Sequence, residues 1–241
     1  TQRLVQSFGA DGQIRLVLAT NQTVTDKAAQ VTTHTRFTQI VFDAAGKVSS
    51  VTIRGFTENN IKAGTVTTIQ EMMQGNFGAD GKPQDITIIG QRMREFKGGV
   101  LVSESSFDKM VKTAAGTDIW GSRQAAYDIK LGTTTTTVSP HIQIRMQNGI
   151  QVTTIASQTI ETTNAAGKVL SHTLQQGFTA RHALNADGTT TLLGTTVAFE
   201  RTQAIVTEGA NAGNISEMVL HNARRDANGN FTFVGSQEVR M

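Results

Sequence analysis

At 241 residues, 38% hydrophobic and 17% charged, the chain has the composition of a folded protein and carries too much apolar content to stay disordered. Its 22 basic and 19 acidic residues leave a net charge of only +3, too little for a phosphate-tracking surface, which argues against nucleic acid as a partner. The absence of cysteine excludes disulfides, thiolate metal sites and cysteine nucleophiles together.

The first local signal is a turn, Gly9-Ala10-Asp11-Gly12. It recurs as Asp43-Ala44-Ala45-Gly46, Gly78-Ala79-Asp80-Gly81, Asn164-Ala165-Ala166-Gly167, Asn185-Ala186-Asp187-Gly188 and Asp226-Ala227-Asn228-Gly229. Each ends in the glycine that a hairpin loop needs for positive φ and carries an Asp or Asn able to bond its own backbone. Between the turns apolar residues alternate with polar ones. Gln13–Leu18 does so, as do His141–Gln147 and Phe231–Phe233, and Asp85–Phe96 and Lys168–Leu174 do so less cleanly. Only two prolines, Pro83 and Pro140, could interrupt such strands. The segment 106–115 places Phe107, Met110 and Val111 at helical spacing, with Ser106 as a cap and Gly116 as a stop, and predicts the single short helix.

Gln30-Val31-Thr32-Thr33, Ala44–Val48 and Gly55-Phe56-Thr57 have counterparts in Gln151-Val152-Thr153-Thr154, Ala165–Val169 and Gly177-Phe178-Thr179. This similarity suggests two pseudo-repeats, 1–121 and 122–241, meeting near Gly116–Ser122, with Phe56 and Phe178 in equivalent core positions. Trp120 then reads as a core plug at the junction. The expected architecture is all-β: consecutive antiparallel hairpins forming a many-stranded barrel or sandwich, in one domain over 1–241, with at most one short helix near 106–115.

Chemistry is hard to anchor in this sequence. His34, His141, His172, His182 and His221 lack paired zinc spacing, and His172 and His182 would lie about 33 Å apart on one strand even with no bulge between them. Asp226–Asn230 alternates oxygen donors like a calcium loop, but its glycine comes too early for an EF-hand. Ser103, Ser105 and Ser106 beside Glu104 and Asp108 offer hydroxyls and acids without a nucleophile elbow, and Glu58, Glu71 and Glu161 are acids that only the fold could bring together. Trp120 and Tyr127 are one Trp and one Tyr, a thin basis for stacking on sugars. With 5% aromatic residues and alternating faces of Gln, Thr and Arg, a bilayer barrel is disfavoured, and no apolar run nears the roughly 20 residues of a spanning helix. The Thr133–Thr137 run suits strands by β-branching, and Arg92-Met93-Arg94 and Arg224-Arg225 read as solvated faces.

The sequence thus nominates no catalytic, cofactor-binding or metal-binding residue and no cofactor. The reading it favours is a non-enzymatic exported β protein that mediates surface interaction or self-assembly, its partner a protein or its own copies. The alternative is a closed barrel binding or converting a small apolar ligand, with Met72, Met73, Met93 and Met146 as adaptable lining. An extracellular or periplasmic location is expected because 36 of the 241 residues are Thr while Tyr and Trp occur once each; as no apolar signal core opens the sequence at Thr1, an exported protein is expected to be present here in its mature form.

Overall fold

A computed structural model of the protein describes residues 2–207 and 212–240, and every regular element among them is a β-strand. The chain divides into two compact units, 1–119 and 120–241. The first contains β1 (Arg3–Phe8), β2 (Ile14–Asp26), β3 (Val31–Phe42), β4 (Val48–Asn60), β5 (Thr65–Phe77), β6 (Pro83–Lys97) and β7 (Val100–Thr113). β8 (Gly116–Asp128) begins in the first unit and ends in the second. The second unit continues with β9 (Thr133–Gln147), β10 (Ile150–Asn164), β11 (Val169–Leu184), β12 (Thr190–Ile205), β13 (Ile215–Asp226), β14 (Phe231–Phe233) and β15 (Ser236–Arg240).

Each unit is an antiparallel meander in which strands adjacent in sequence pair with each other. β1 through β7 pair successively in the first unit, and β9 through β13 in the second. β14 and β15 both lie on the free edge of β13. Neither unit closes into the expected barrel. β1 pairs with β2 alone, and neither β14 nor β15 pairs with any strand besides β13.

All six Gly-ended turns are hairpin tips, and they share one hydrogen-bond pattern. In each, the first residue donates its amide to the carbonyl one past the glycine, and the glycine amide donates back to the first residue, as in Asp43 N to Lys47 O at 2.8 Å and Gly46 N to Asp43 O at 3.1 Å. A side-chain oxygen completes the turn: Asp43 Oδ1 accepts from the amides of Ala45 and Lys47 at 2.8 and 2.9 Å. Asn164 and Asp226 repeat this arrangement at their own tips. The tip glycines in the first unit, Gly12, Gly46 and Gly81, recur every 34 or 35 residues, so the regular unit of this architecture is one hairpin.

The helix expected over 106–115 is not formed. Those residues lie largely in β7, where Ile88 pairs with Met110, Thr87 with Val111 and Gln91 with Phe107, and the strand ends in a tight turn at Ala114-Ala115. The i, i+3, i+4 spacing was a coincidence of composition. Eleven cross-strand pairs with β6 outweigh one marginal helical pattern, because a helix of this length is barely stable without tertiary support.

A feature absent from the turn grammar runs across the strands. Asn21, Gly55 and Gly90 on alternate strands of the first unit have φ of 52°, 62° and 62° in mid-strand. The ladder skips each of them together with the residues opposite, Arg36, Gln70 and Asp108. Gly177 and Asn222 repeat the device in the second unit with φ of 61° and 52°. This crease resets the alternation by one residue. Gln175 and Ala180 are both buried on β11, and Leu220 and Ala223 on β13, each pair at an odd separation that strict alternation would place on opposite faces. Glycine is required at Gly55 and Gly90 because a Cβ would lie 2.9 Å from Arg36 Cβ and 2.4 Å from Gln70 Cδ.

The core is thin. In the second unit Val197, Leu220 and Ala223 form a small buried cluster backed by Met218 and Val234, whereas in the first only Ala19, Ile69 and Ile88 are buried apolar residues. Phe56 and Phe178 follow glycines of matching φ, but both are only half-buried and neither is a core residue.

Replacing Gly90 by Ala is expected to cost about 1–2 kcal/mol for the left-handed backbone plus the displacement of Gln70. Gly98→Ala, also at positive φ but with open space around it, bears the backbone cost alone. Urea denaturation of both variants should rank Gly90→Ala as clearly the less stable, and equal midpoints would show that the crease imposes no packing constraint.

Candidate functional site

The most organised polar constellation lies in the second unit, where one side chain from each of five strands joins a single buried chain of hydrogen bonds. Ser139 Oγ on β9 donates to Gln158 Oε1 on β10 at 3.1 Å, and Gln158 Nε2 donates to Gln175 Oε1 on β11 at 2.6 Å. Gln175 Nε2 then donates to Glu200 Oε2 on β12 at 2.6 Å, and Arg225 Nη2 on β13 closes the chain onto Glu200 Oε1 at 2.6 Å. Ser139, Gln158, Gln175 and Glu200 are all buried, and Glu200 retains 4% of its surface. Arg225 stands opposite Thr195 in the ladder, five residues from Glu200, so it reaches Glu200 only because the crease shifts the alternation. Its guanidinium also lies 4.4 Å from the Phe231 ring centroid on β14, which fixes it from the other side. A fully partnered chain of this kind holds five strands in one register.

A wide concavity follows the crease of the first unit. It encloses about 900 Å³, open to solvent, and is lined by His34, Arg36, Arg54, Gln70, Arg92 and Asp108 among others. Arg54 bonds Glu71 at 3.1 Å and stacks over Phe37, and Arg92 bonds Glu104 at 2.6 Å, so both guanidinia are already neutralised. An open trough with charged walls differs from the enclosed apolar cavity that the barrel alternative requires. Met73, Met93 and Met146, expected as cavity lining, are 38%, 38% and 53% exposed.

The other residues singled out by the sequence are dispersed. His34 bonds Thr23 Oγ1 at 3.1 Å, His141 stacks on Trp120 with centroids 5.0 Å apart, and His221 meets Phe199 edge-on. His172 and His182 lie on β11 on either side of Gly177, and no group of three or more metal-ligating side chains occurs among the described residues. Trp120 is half-buried beneath that His141 stack, not the buried plug expected. The calcium-like loop is a hairpin tip. Asp226 Oδ1 accepts from the amides of Asn228 and Asn230, bonds that hold its carboxyl below the usual carboxylate range. Ser103 donates to Glu95 at 3.1 Å while Glu104 engages Arg92 and Arg94, which leaves no nucleophile–base pair. Glu58 on β4 stands opposite Thr67 and Glu71 on β5 opposite Arg54, so the two acids are offset by four residues along neighbouring strands, about 13 Å. Glu161 belongs to the other unit. Thr135 and Thr162, both half-buried, share a hydroxyl hydrogen bond at 3.1 Å across β9 and β10, as facing strand threonines do.

The buried chain Gln158–Gln175–Glu200 is the feature sequence reasoning misses. Its only local trace is a polar residue where the alternation calls for an apolar one. No known protein-family profile matches the chain, and no curated protein resembles it significantly in sequence.

Removing the Glu200 side chain as Glu200→Ala leaves Arg225 and the Gln175 amide unpartnered, a change that costs about 3–5 kcal/mol when a buried ion pair is broken. Glu200→Gln keeps an acceptor for Gln175 and is expected to lose less. Equal urea midpoints for Glu200→Ala and the parent would show that the chain of bonds carries no register energy.

Lowering the pH should weaken the hairpin tips as well. Backbone bonds to Asp226 and the Thr189 hydroxyl bond to Asp187 hold both carboxyls below their ordinary value. Their contribution is therefore full above about pH 4, the unfolded value, and is lost as the pH falls through the lower folded value. Asp226→Asn should flatten this acid limb of a urea-midpoint profile, and an unchanged limb would remove Asp226 from its cause.

Proposed function

We propose that the protein is non-catalytic and acts through its strand edges, associating with further copies of itself in an extracellular or periplasmic setting. The observation that carries this reading is the free edge of β1. That strand is exposed along its whole length, pairs on one side only, and presents Leu4, Val5 and Phe8 at 63%, 40% and 59% exposure. Natural edge strands are commonly blunted by proline, inward charge or a covering loop. β1 has no proline, and its single charge is Arg3. At the opposite end of the strand sequence, β14 and β15 expose Phe231, Phe233 and Val239 at 48%, 51% and 59%.

A second copy is the occupant that fits. Every strand interface inside a unit is an antiparallel pairing, nearly all of one strand with the next, so an edge of the array offers the surface its own neighbours already use. Joining unlike edges is a heterologous contact, which closes into a ring or repeats as an open filament according to the rotation between copies. Cysteine-free, Thr-rich strands suit an exported life but do not depend on it.

Light scattering on the eluting protein should show mass rising with concentration. Leu4→Lys with Val5→Lys should return it to a monomer with an unchanged circular dichroism spectrum. A strict monomer at every concentration, or association unaffected by the double substitution, would overturn the reading.

A further inference from the structure

Most arginines of the strands are matched to carboxylates: Arg54 to Glu71, Arg92 and Arg94 to Glu104, Arg201 to Glu217 and Arg225 to Glu200. Arg181 and Arg224, both in the second unit and both exposed, have no acidic partner among the described residues. They line the same recess, of about 320 Å³, together with Thr179, Gly194, Thr196 and Thr232.

The ladder explains the convergence. Thr179, Thr196 and Arg224 stand opposite one another on β11, β12 and β13, and Arg181 stands opposite Gly194, two residues along. Residues two apart share a face, so Arg181 and Arg224 project from one face on strands two spacings apart, about 9.6 Å. Between them the row is empty, because Gly194 has no side chain. A Cβ there would meet the Arg225 carbonyl oxygen at 2.6 Å. The bulge between Arg181 and His182 places the extra residue, Leu193, beside this gap.

The two carboxylates that could neutralise the recess are engaged elsewhere. Asp226, opposite Gly194, turns its oxygens to Asn228 and Asn230 at the hairpin tip, and Glu200 is held by Arg225 and Gln175. The recess therefore presents two guanidinia without a carboxylate partner, that of Arg224 lying 5.5 Å over the Phe233 ring, and a set of threonine hydroxyls, with no acid among its lining residues. Guanidinium forks and hydroxyls are the groups that bind a tetrahedral oxyanion.

We infer that this recess is an oxyanion-binding site, held between Arg181 and Arg224 over Gly194, for a sulfate or phosphate group. The group arrives either as the inorganic anion or as an ester on a larger molecule. The recess borders the β14 edge through Thr232, but its anion binding is tested independently of self-association through β1.

Titration calorimetry at constant ionic strength tests it, with sodium sulfate and sodium phosphate against chloride as one arm. A sulfated oligosaccharide and its desulfated form make the second arm. Saturable one-to-one binding of either inorganic anion, or of the sulfated sugar with none of the desulfated form, is expected, and the arm that responds identifies the source. Arg181→Gln and Arg224→Gln should each weaken binding roughly tenfold, the loss of one charge-assisted bond, and the double variant should abolish it. Arg36→Gln, in the other unit, should leave it unchanged. Chloride-like heats in both arms, or undiminished binding by a double variant whose circular dichroism matches the parent, would overturn the assignment.

Discussion

Everything in this protein depends on backbone pairing between consecutive strands, closed at six tips by the same small turn. At Asp43, Asn164 and Asp226 a side-chain oxygen accepts from the amides two and four residues on, and at all six tips the glycine supplies positive φ, so each of these hairpins carries its own closing device. Because the pairing partner is the next strand everywhere except at β15, which returns to β13, the chain needs few distant contacts to define its topology. It can therefore tolerate a thin core: one small buried cluster around Leu220 in the second unit and three buried apolar residues in the first. Stability that a globular domain draws from volume is distributed here along ladders and cross-strand pairs.

A meander with little core leaves register weakly specified, because a one-residue slip reverses every side chain. Two devices answer this. The crease at Asn21, Gly55 and Gly90, and at Gly177 and Asn222, interrupts the ladder at a position that a slipped strand could not reproduce without placing a Cβ against a neighbouring side chain. The buried chain from Ser139 to Arg225 adds a second lock, since a slip on any of its five strands would leave a buried amide or carboxylate unpartnered. Both are costly features in isolation, which suits them to excluding alternatives better than to adding stability.

The same economy shapes the surface. Arginines matched across strands neutralise much of the charge, which leaves Arg181 and Arg224 facing one recess without an acid, and the outer edge of β1 is an exposed apolar margin without a partner strand among the described residues. A protein built this way has its opportunities for recognition on faces and edges, where side chains from several strands line up, and not in an enclosed cavity.

The hairpin tips and the alternation between them were legible in the sequence because turn chemistry and strand period are local: an Asp or Asn, two small residues and a glycine determine a tip whatever surrounds them. Composition also settled the absence of disulfides and of long apolar helices. The segment 106–115 went the other way because its spacing is compatible with helix, and only the neighbouring β6 could decide for strand. Gly55 and Gly177 were visible as a repeated Gly-Phe-Thr step, but not as a crease, since positive φ in mid-strand is dictated by what stands on the adjacent strand. Gln158, Gln175 and Glu200 looked like ordinary polar residues, and their burial and bonding arise only when β10, β11 and β12 are in register. The oxyanion recess is likewise invisible in one dimension: Arg181, Gly194 and Arg224 come from three strands, and pairing alone makes them neighbours. Local chemistry determined where the chain turns, and cross-strand register decided which side chains meet.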